Sequence, residues 1–425
     1  MPRTYPYRTA ILLGWLVIAV PLRGLRGQGA ANPLTLADAI RLALANNAHL
    51  PVAALNVSIL QAQLREHRAR NKPGLTLDGD VHHGTPSAYT TGDARLQMIA
   101  TDTLFDGGRV RASIANAEHL VRGAQAGFRT VAKDVELDVR LMFAEGVHDQ
   151  RLAEIHRSSL ERLRVYLALV EAQAAGGLGV AGDVLRTRTQ VSAEAANIAD
   201  AERAFDEAQV ELNNLMGRPP REALTLAPLP APTPPVTPTG QPWTTVPDVL
   251  EAEANAAAAQ AAIGITRAER RPQLWVSGDV GRFQPLGATG AGLNPGQGTG
   301  AELTLWFTWP FFDFGTYRAR LAQAELLARQ TADSATVVRR QSELEWSRAV
   351  EQIADFYRIV DLRTLSVPVA RDSYLLTESL YRGGVGTALD VIAAYSAWVD
   401  AQVAEADATR DYRQAEARLI RWGTP

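Results

Sequence analysis

The stretch LFDGG at residues 104–108 returns 207 positions later as FFDFG at residues 311–315. A second motif, GLG at residues 177–179, returns at the same offset as GVG at residues 384–386. The spacing between the motifs is the same in both copies. Constant spacing is expected of a continuous helix, where one inserted residue turns the apolar face by about 100°. The chain therefore contains two copies of a unit dominated by very long helices.

An apolar heptad connects the two motifs in each copy. Apolar residues recur in alternating steps of four and three from Val110 to Met142 with a break at Asp138, and again from Tyr317 to Ile359 with a break at the equivalent Glu345. This period is typical of helices that pack as left-handed coils. The uninterrupted segment 109–175 predicts a rod about 100 Å long at 1.5 Å per residue. The two shorter predicted helices, 35–71 and 183–216, would match that length if they were stacked end to end.

The ends and the middle of the chain have different compositions. An apolar run of 11 residues at 10–20 follows Arg3 and Arg8, and it is too short to span a bilayer, so we interpret it as a secretory signal. A Pro-rich stretch separates the copies. The predicted bounds are 1–31 for the signal peptide, 32–220 for repeat 1 (helices 35–71, 109–175 and 183–216, membrane hairpin 74–104), 221–246 for the connector, and 247–425 for repeat 2 (helices 247–271, 316–382 and 390–422, membrane hairpin 273–311).

Composition excludes several function classes. The net charge is −3 with no basic block, so nucleic acid is not an expected partner. The chain has no Cys, which excludes disulfides and a lipidated N-terminal Cys. No Ser-His-Asp or His-Glu-x-x-His signature is present, so we expect no enzyme activity. The pair His82-His83 has no third ligand at a recognisable spacing, so we expect neither a metal site nor a cofactor.

Short segments between the helices alternate in polarity. Residues 302–309 place Leu, Leu, Phe and Trp on one face and Glu, Thr, Trp and Thr on the other. Such alternation over about 9–11 residues is typical of a membrane β-strand. Trp275, Trp309 and Phe311 would then belong to an interfacial aromatic girdle. The alternative is a soluble hairpin packed on a helix.

Four strands are too few to close a barrel, and an open sheet edge cannot lie in lipid. Three protomers would supply 12 strands, and the same threefold axis would arrange the helices as a tube. The predicted fold is thus mainly α with a membrane β part: long antiparallel coiled helices form a trimeric α-barrel, and four strands per protomer complete a 12-stranded transmembrane β-barrel.

Several motifs carry a family resemblance. They are the LTL start at 34–36, the strand-to-helix junction with Asp106, Gly107, Gly108, Asp313 and Gly315, the DVLR turn at 183–186, VPDV at 246–249 and YRGGVG at 381–386. In this order and duplication, they make the chain similar to TolC-type outer-membrane efflux proteins. The resemblance implies a homotrimer in outer-membrane lipid, a large periplasmic portion, a periplasmic adaptor and an inner-membrane transporter.

The two Gly turns should lie at the end of the rods farthest from the strands. Asp183 and Asp390 follow them, where a carboxylate favours a helix N-terminus. These acids either cap only, or form an acidic constriction that gates the tube. The resemblance assigns adaptor docking to the tip formed by Gly177, Leu178, Gly384 and Val385.

The leading interpretation is the passive outer-membrane duct of a tripartite efflux system for small molecules. The same scaffold would serve as the duct of type I protein secretion. A third interpretation, from a different class, is an exported coiled-coil scaffold that never enters a membrane.

Overall fold

A computed structural model describes residues 33–84, 91–176, 180–236, 240–285 and 298–422. The predicted signal peptide and the turn at 177–179 lie outside this part of the chain. The elements, in chain order, are α1 (Leu36–Asn46), α2 (His49–Ala69), β1 (Gly74–Gly84), β2 (Thr91–Phe105), α3 (Arg109–Ala175), α4 (Ala181–Leu215), α5 (Pro247–Ala268), β3 (Gln273–Pro285), β4 (Gly298–Thr308), α6 (Thr316–Arg382) and α7 (Ala388–Ile420).

The two long helices, α3 and α6, have 67 residues each and start at equivalent positions of the two repeats. The helix α3 packs against α2 and α4 of its own repeat and against α5 and α7 of the second repeat. The helix α6 packs against α5 and α7. The short helices of repeat 2 therefore lie between the two long rods. The prediction of a mainly helical fold with two repeats and four strands is confirmed.

The first helix differs from the single helix expected over 35–71. It is divided at Asn47, whose backbone is extended at φ −62° and ψ 131°. The Asn47 side chain is buried and donates to the carbonyl of Leu215 at 3.1 Å, while its Oδ1 accepts from the His49 amide at 2.9 Å. These bonds satisfy the polar groups exposed by the break and attach it to the end of α4.

The four strands form one antiparallel sheet in the order β1-β2-β3-β4, so each repeat supplies one hairpin. Residues that pair directly across strands share a face. We call one side the apolar face; its members include Leu75, Leu77, Val81, Leu96, Met98, Val276, Val280, Leu303, Leu305 and Phe307. We call the other side the polar face; its members include Asp78, Asp80, Gln97, Ser277, Asp279, Glu302 and Thr304.

The core lies between the rods and beneath the connector. Phe143 of α3 is fully buried with Leu212 and Met216, and Leu226 of the connector covers them. On the second repeat, the Tyr412 hydroxyl donates to the Thr233 carbonyl at 2.7 Å. These contacts hold the connector against the middle of the helices. Among the described helices, none combines the length and hydrophobicity that a bilayer span requires.

Candidate functional site

The strand-to-helix junctions use one aspartate in each repeat. Asp106 Oδ1 accepts from the Gly108 amide at 2.8 Å, and its Oδ2 accepts from the Val110 amide at 2.5 Å. Asp313 makes the equivalent bonds at 3.2 and 2.6 Å. Each carboxylate thus satisfies free amides at the N-terminus of a 67-residue helix and complements its dipole.

The left-handed glycine conformation at the junctions has a packing reason in repeat 1. Gly107 has φ +69°, and a Cβ there would lie 2.6 Å from Cβ of Arg271. Arg271 Nη1 donates to the Gly107 carbonyl at 2.7 Å. In repeat 2 the equivalent residue is Phe314, at φ 52° and 93% exposed, whose ring makes an edge contact with the ring of Phe312 at 4.6 Å. Only the first junction therefore requires glycine for close approach.

The second helix turn is fully described. The helix α6 ends before Gly384, which has φ +76°, and the Val385 amide donates to the Leu380 carbonyl at 3.0 Å. This left-handed C-terminal turn reverses the chain toward α7. Val385 is left 80% exposed at its apex. The predicted docking residues Gly177 and Leu178 of the first turn lie outside the described residues.

Asp390 forms a capping box at the start of α7. Its side chain accepts from the Thr387 amide at 3.1 Å and from the Thr387 hydroxyl at 2.6 Å. These hydrogen bonds from Thr387 hold the pKa of Asp390 below its usual value. Repeat 1 has Val180 at the equivalent cap, and no side-chain cap bond forms there. Asp183 instead pairs with Arg186 at 3.2 Å.

An aromatic contact joins the two long helices just before their turns. The Tyr381 hydroxyl donates to Gln173 Oε1 at 2.5 Å, and its ring centroid is 5.9 Å from that of Tyr166. Burial raises the pKa of Tyr166, so this phenol stays neutral near Asp183. The hydrogen bond between Tyr381 and Gln173 was not among the features predicted from the sequence. The heptad spacing of Tyr374 and Tyr381 is the signal that could have revealed an aromatic seam.

The aromatic residues predicted for a membrane girdle lie in two different environments. Trp309 and Phe311 are 53% and 73% exposed, with ring centroids 6.3 Å apart. Trp275 pairs across the strands with Trp306 and stacks on it at 6.1 Å. This register places Trp275 on the polar face, opposite to Phe307. Membership of Trp275 in an interfacial girdle stays a prediction, and its ring lies on the other face of the sheet from Phe307.

Two histidines on α3, the buried His148 and the partly buried His156, contact carboxylates from other helices. His156 Nδ1 is 2.7 Å from Glu194 of α4, which also accepts from Ser159 at 2.8 Å. Burial acts to raise the pKa of Glu194, but these hydrogen bonds outweigh it and hold the pKa below its usual value. The second histidine, His148, lies beside Glu145 and Asp149 in an arrangement that could hold a metal ion. The group of Glu145, His148 and Asp149 was not predicted from the sequence, where no metal site was expected.

Together, these features define a class of protein: coiled rods with twin turns at one end and a two-faced sheet at the other. The family model described as "Outer membrane efflux protein" matches residues 39–218 and 245–422, once per repeat. The chain belongs to this family, as the resemblance to TolC-type proteins predicted. It is a non-enzymatic outer-membrane channel of an efflux pump.

Known relatives are distant but cover most of the chain. "Nodulation protein T" of Rhizobium leguminosarum bv. trifolii is 24% identical over 424 residues, with 92% of this chain and 83% of that protein covered. "Solvent efflux pump outer membrane protein SrpC" of Pseudomonas putida is 28% identical, with 67% of this chain and 62% of that protein covered. The solved outer-membrane channel OprN superposes with a TM-score of 0.82 at 21% identity, covering 91% of this chain and 89% of that one.

Proposed function

We propose that three copies of this chain form a continuous duct through the outer membrane and the periplasm. The observation that carries the proposal is the open four-stranded sheet, whose edge strands β1 and β4 expose unpaired backbone groups beside an apolar face. Such edges are not tolerated in lipid unless another chain pairs with them. Pairing β4 of one protomer with β1 of the next would close a barrel of 12 strands.

The helices support the same threefold assembly. The helix α6 lies at one side of the protomer, and α2 and α4 lie at the other. Both sides carry apolar side chains that are more than half exposed: Val52, Leu55, Ile59, Leu185, Leu326, Leu327, Val337, Leu362 and Leu365. Exposed apolar surface of this extent favours association, because burying it removes it from water.

The cargo we propose is small molecules, which leave passively while a partner supplies the energy. Relatives are named for solvent, toluene, pyoverdine and antibiotic export. The polar face of the sheet, with Asp78, Asp80, Asp279 and Glu302, would line a water-filled lumen. No comparable observation favours protein secretion, or a scaffold that stays outside the membrane.

The helix turns are the surface that we assign to a periplasmic adaptor, which would connect the duct to an inner-membrane transporter. Val385 is 80% exposed and Val180 is 68% exposed at this end of the rods. Gly177, Leu178 and Gly384 complete the proposed docking tip. Asp183 and Asp390 would line a constriction there, in addition to the cap that Asp390 makes.

Assembly can be tested by native mass spectrometry of the full chain in detergent. We expect a trimer, and we expect the variant L362E/L365E on α6 to dissociate it because charges at a buried apolar contact are costly. Val236→Glu is the matched control, since Val236 is 85% exposed on the connector rather than on a rod. A monomeric wild type, or a trimer unaffected by L362E/L365E, would contradict the proposal.

The constriction can be tested by conductance in planar bilayers. Asp390→Ala removes both the carboxylate and the cap, whereas Thr387→Val removes the cap and leaves the charge. We expect reduced cation preference in Asp390→Ala and unchanged preference in Thr387→Val. Equal selectivity in both variants and the wild type would leave Asp390 with a capping role alone.

A further inference from the structure

A cluster of metal-ligating side chains lies halfway along α3, far from the turns and the sheet. Glu145, His148 and Asp149 occupy one face of the helix at spacings of three and four residues. One ligand atom from each lies within 4.8 Å of the others. His148 is 7% exposed and Asp149 is 4% exposed. Ionisable groups at this depth need a charge partner.

The His148 ring is held between two carboxylates. Its Nε2 is 2.8 Å from Asp407 Oδ1 on α7, and its Nδ1 is 3.0 Å from Asp149 Oδ1. A neutral ring donates from one of these nitrogens, and a protonated ring donates from both. Burial acts to lower the pKa of His148, but the hydrogen bonds to Asp149 and Asp407 outweigh it and raise this pKa.

Negative charge exceeds positive charge around this ring. Four carboxylates, those of Glu145, Asp149, Asp407 and Asp411, surround the guanidinium of Arg410 and the imidazole of His148. Arg410 is bonded to Asp411 at 2.9 Å, while its distances to Glu145 and Asp407 are 3.7 and 3.6 Å. Gln414 donates to Glu145 Oε2 at 2.8 Å, and Glu145 Oε1 lies 3.7 Å from Arg410 Nη1. The cluster can therefore accept a further cation.

We propose that Glu145, His148 Nδ1 and Asp149 bind one divalent transition-metal ion, which takes the place of the proton on Nδ1. Two ligands at about 2.0–2.1 Å from zinc and at a tetrahedral angle lie about 3.3–3.4 Å apart, so the present side chains would have to separate by a few tenths of an ångström. The distance between His148 Nδ1 and Asp149 Oδ1 is 3.0 Å. A Glu-x-x-His pair at i and i+3 is a recurrent metal-binding arrangement inside helical bundles. One imidazole and two carboxylates suit Zn²⁺ or Mn²⁺ better than a soft ion such as Cu(I).

Asp407 completes the site from the other repeat. When Nδ1 binds the metal, Nε2 keeps its proton and donates it to Asp407 Oδ1 at 2.8 Å. A carboxylate behind a ligating histidine fixes the tautomer and the ring orientation. Because Asp407 lies on α7, the bound ion would fasten the two repeats at the level of the connector.

A cavity reaches one of the proposed ligands, His148, whereas Glu145 and Asp149 do not line it. It has a volume of about 530 Å³, lies between α3, α7 and the connector, and is lined by His148, Gln150 and Arg410 among others. Within the described part of the chain, Gln150 Oε1 is buried without a hydrogen-bond partner.

The chain contains a matched control on the same helix. His156 is also close to a buried carboxylate, with Nδ1 at 2.7 Å from Glu194. The other polar group at this pair is the hydroxyl of Ser159, which donates to Glu194 at 2.8 Å. This second site has the histidine–carboxylate pair but lacks the second carboxylate ligand.

The test is isothermal titration of the metal-stripped, detergent-solubilised full chain with Zn²⁺ alone. All variants are made in an H82A/H83A background, because the consecutive histidines 82 and 83 could bind Zn²⁺ at a second place. We expect one Zn²⁺ per chain, with binding weakened by tenfold or more in His148→Gln and unchanged in His156→Gln. Asp407→Asn should weaken binding by about 10- to 100-fold, whereas Asp411→Asn, which removes the same charge, should have a much smaller effect.

The outcomes are separable from those of the channel proposal, because binding is measured without transport. No saturable Zn²⁺ binding in the wild type would overturn the site. Binding that survives His148→Gln, or equal losses in Asp407→Asn and Asp411→Asn, would overturn it as well. Circular dichroism of each variant distinguishes lost coordination from lost folding.

Discussion

Tyr381→Phe should make the duct open more often. The substitution removes one hydroxyl, which donates to Gln173 Oε1 at 2.5 Å, and leaves the ring contact with Tyr166. A hydrogen bond of this kind contributes about 1 kcal/mol net. In a trimer whose three tips separate together, the loss is about 3 kcal/mol, or roughly a 100-fold rise in the ratio of open to closed channels.

The assay is the opening frequency of the purified protein in planar bilayers. Tyr412→Phe is the matched control, because it removes a tyrosine hydrogen bond of 2.7 Å to the connector, far from the turns. Gln173→Leu should reproduce the effect, and the double variant Y381F/Q173L should add nothing further, since both changes delete one interaction. The reasoning is refuted if Tyr381→Phe opens no more often than the wild type, or if Tyr412→Phe opens equally often.

Three further predictions concern stability, measured by thermal unfolding in detergent. Thr387→Val should destabilise the start of α7 by about 1 kcal/mol, and Val180→Thr should stabilise the equivalent start of α4; equal effects of the same sign would contradict the capping argument. Gly107→Ala should cost more than Gly315→Ala, because both have positive φ but only the first would place a Cβ against Arg271; equal losses would leave backbone strain as the whole cause. Because folding lowers the pKa of Glu194, the stabilisation from this carboxylate is present above about pH 4.5 and lost as the pH falls through the folded pKa. Glu194→Gln should therefore reduce the loss of stability on acidification. An unchanged loss would exclude Glu194 as its source.

Local patterns predicted the elements well. The heptad and the 207-residue offset placed the two long helices, because helical periodicity is written in neighbouring residues. Alternation predicted the strands for the same reason. The break at Asn47 was not predictable in this way, because the hydrogen bond that compensates it comes from Leu215, 168 residues away.

Strand register decided what alternation left open. Alternation around Trp275 shows which residues of β3 share a face with it. It does not show which residues of the neighbouring strand lie on that same face. Pairing with Trp306 puts it on the polar face. A shift of one residue would have reversed every side chain of the strand, and only the assembled sheet determines that choice.

The sequence by itself determined the long helices, the strand alternation and the Asp-Gly junctions, which depend on residues within a few positions of each other. It also showed the duplication, because the same motifs return at a constant offset of 207 residues. The tertiary structure alone decided the tie from Tyr381 to Gln173 and the group formed by His148 and Asp407, whose partners are 208 and 259 residues apart. Burial between the repeats gives these contacts their strength, because charges and hydrogen bonds act more strongly away from water. Local sequence patterns do not show which helices will pack together and exclude solvent from these contacts.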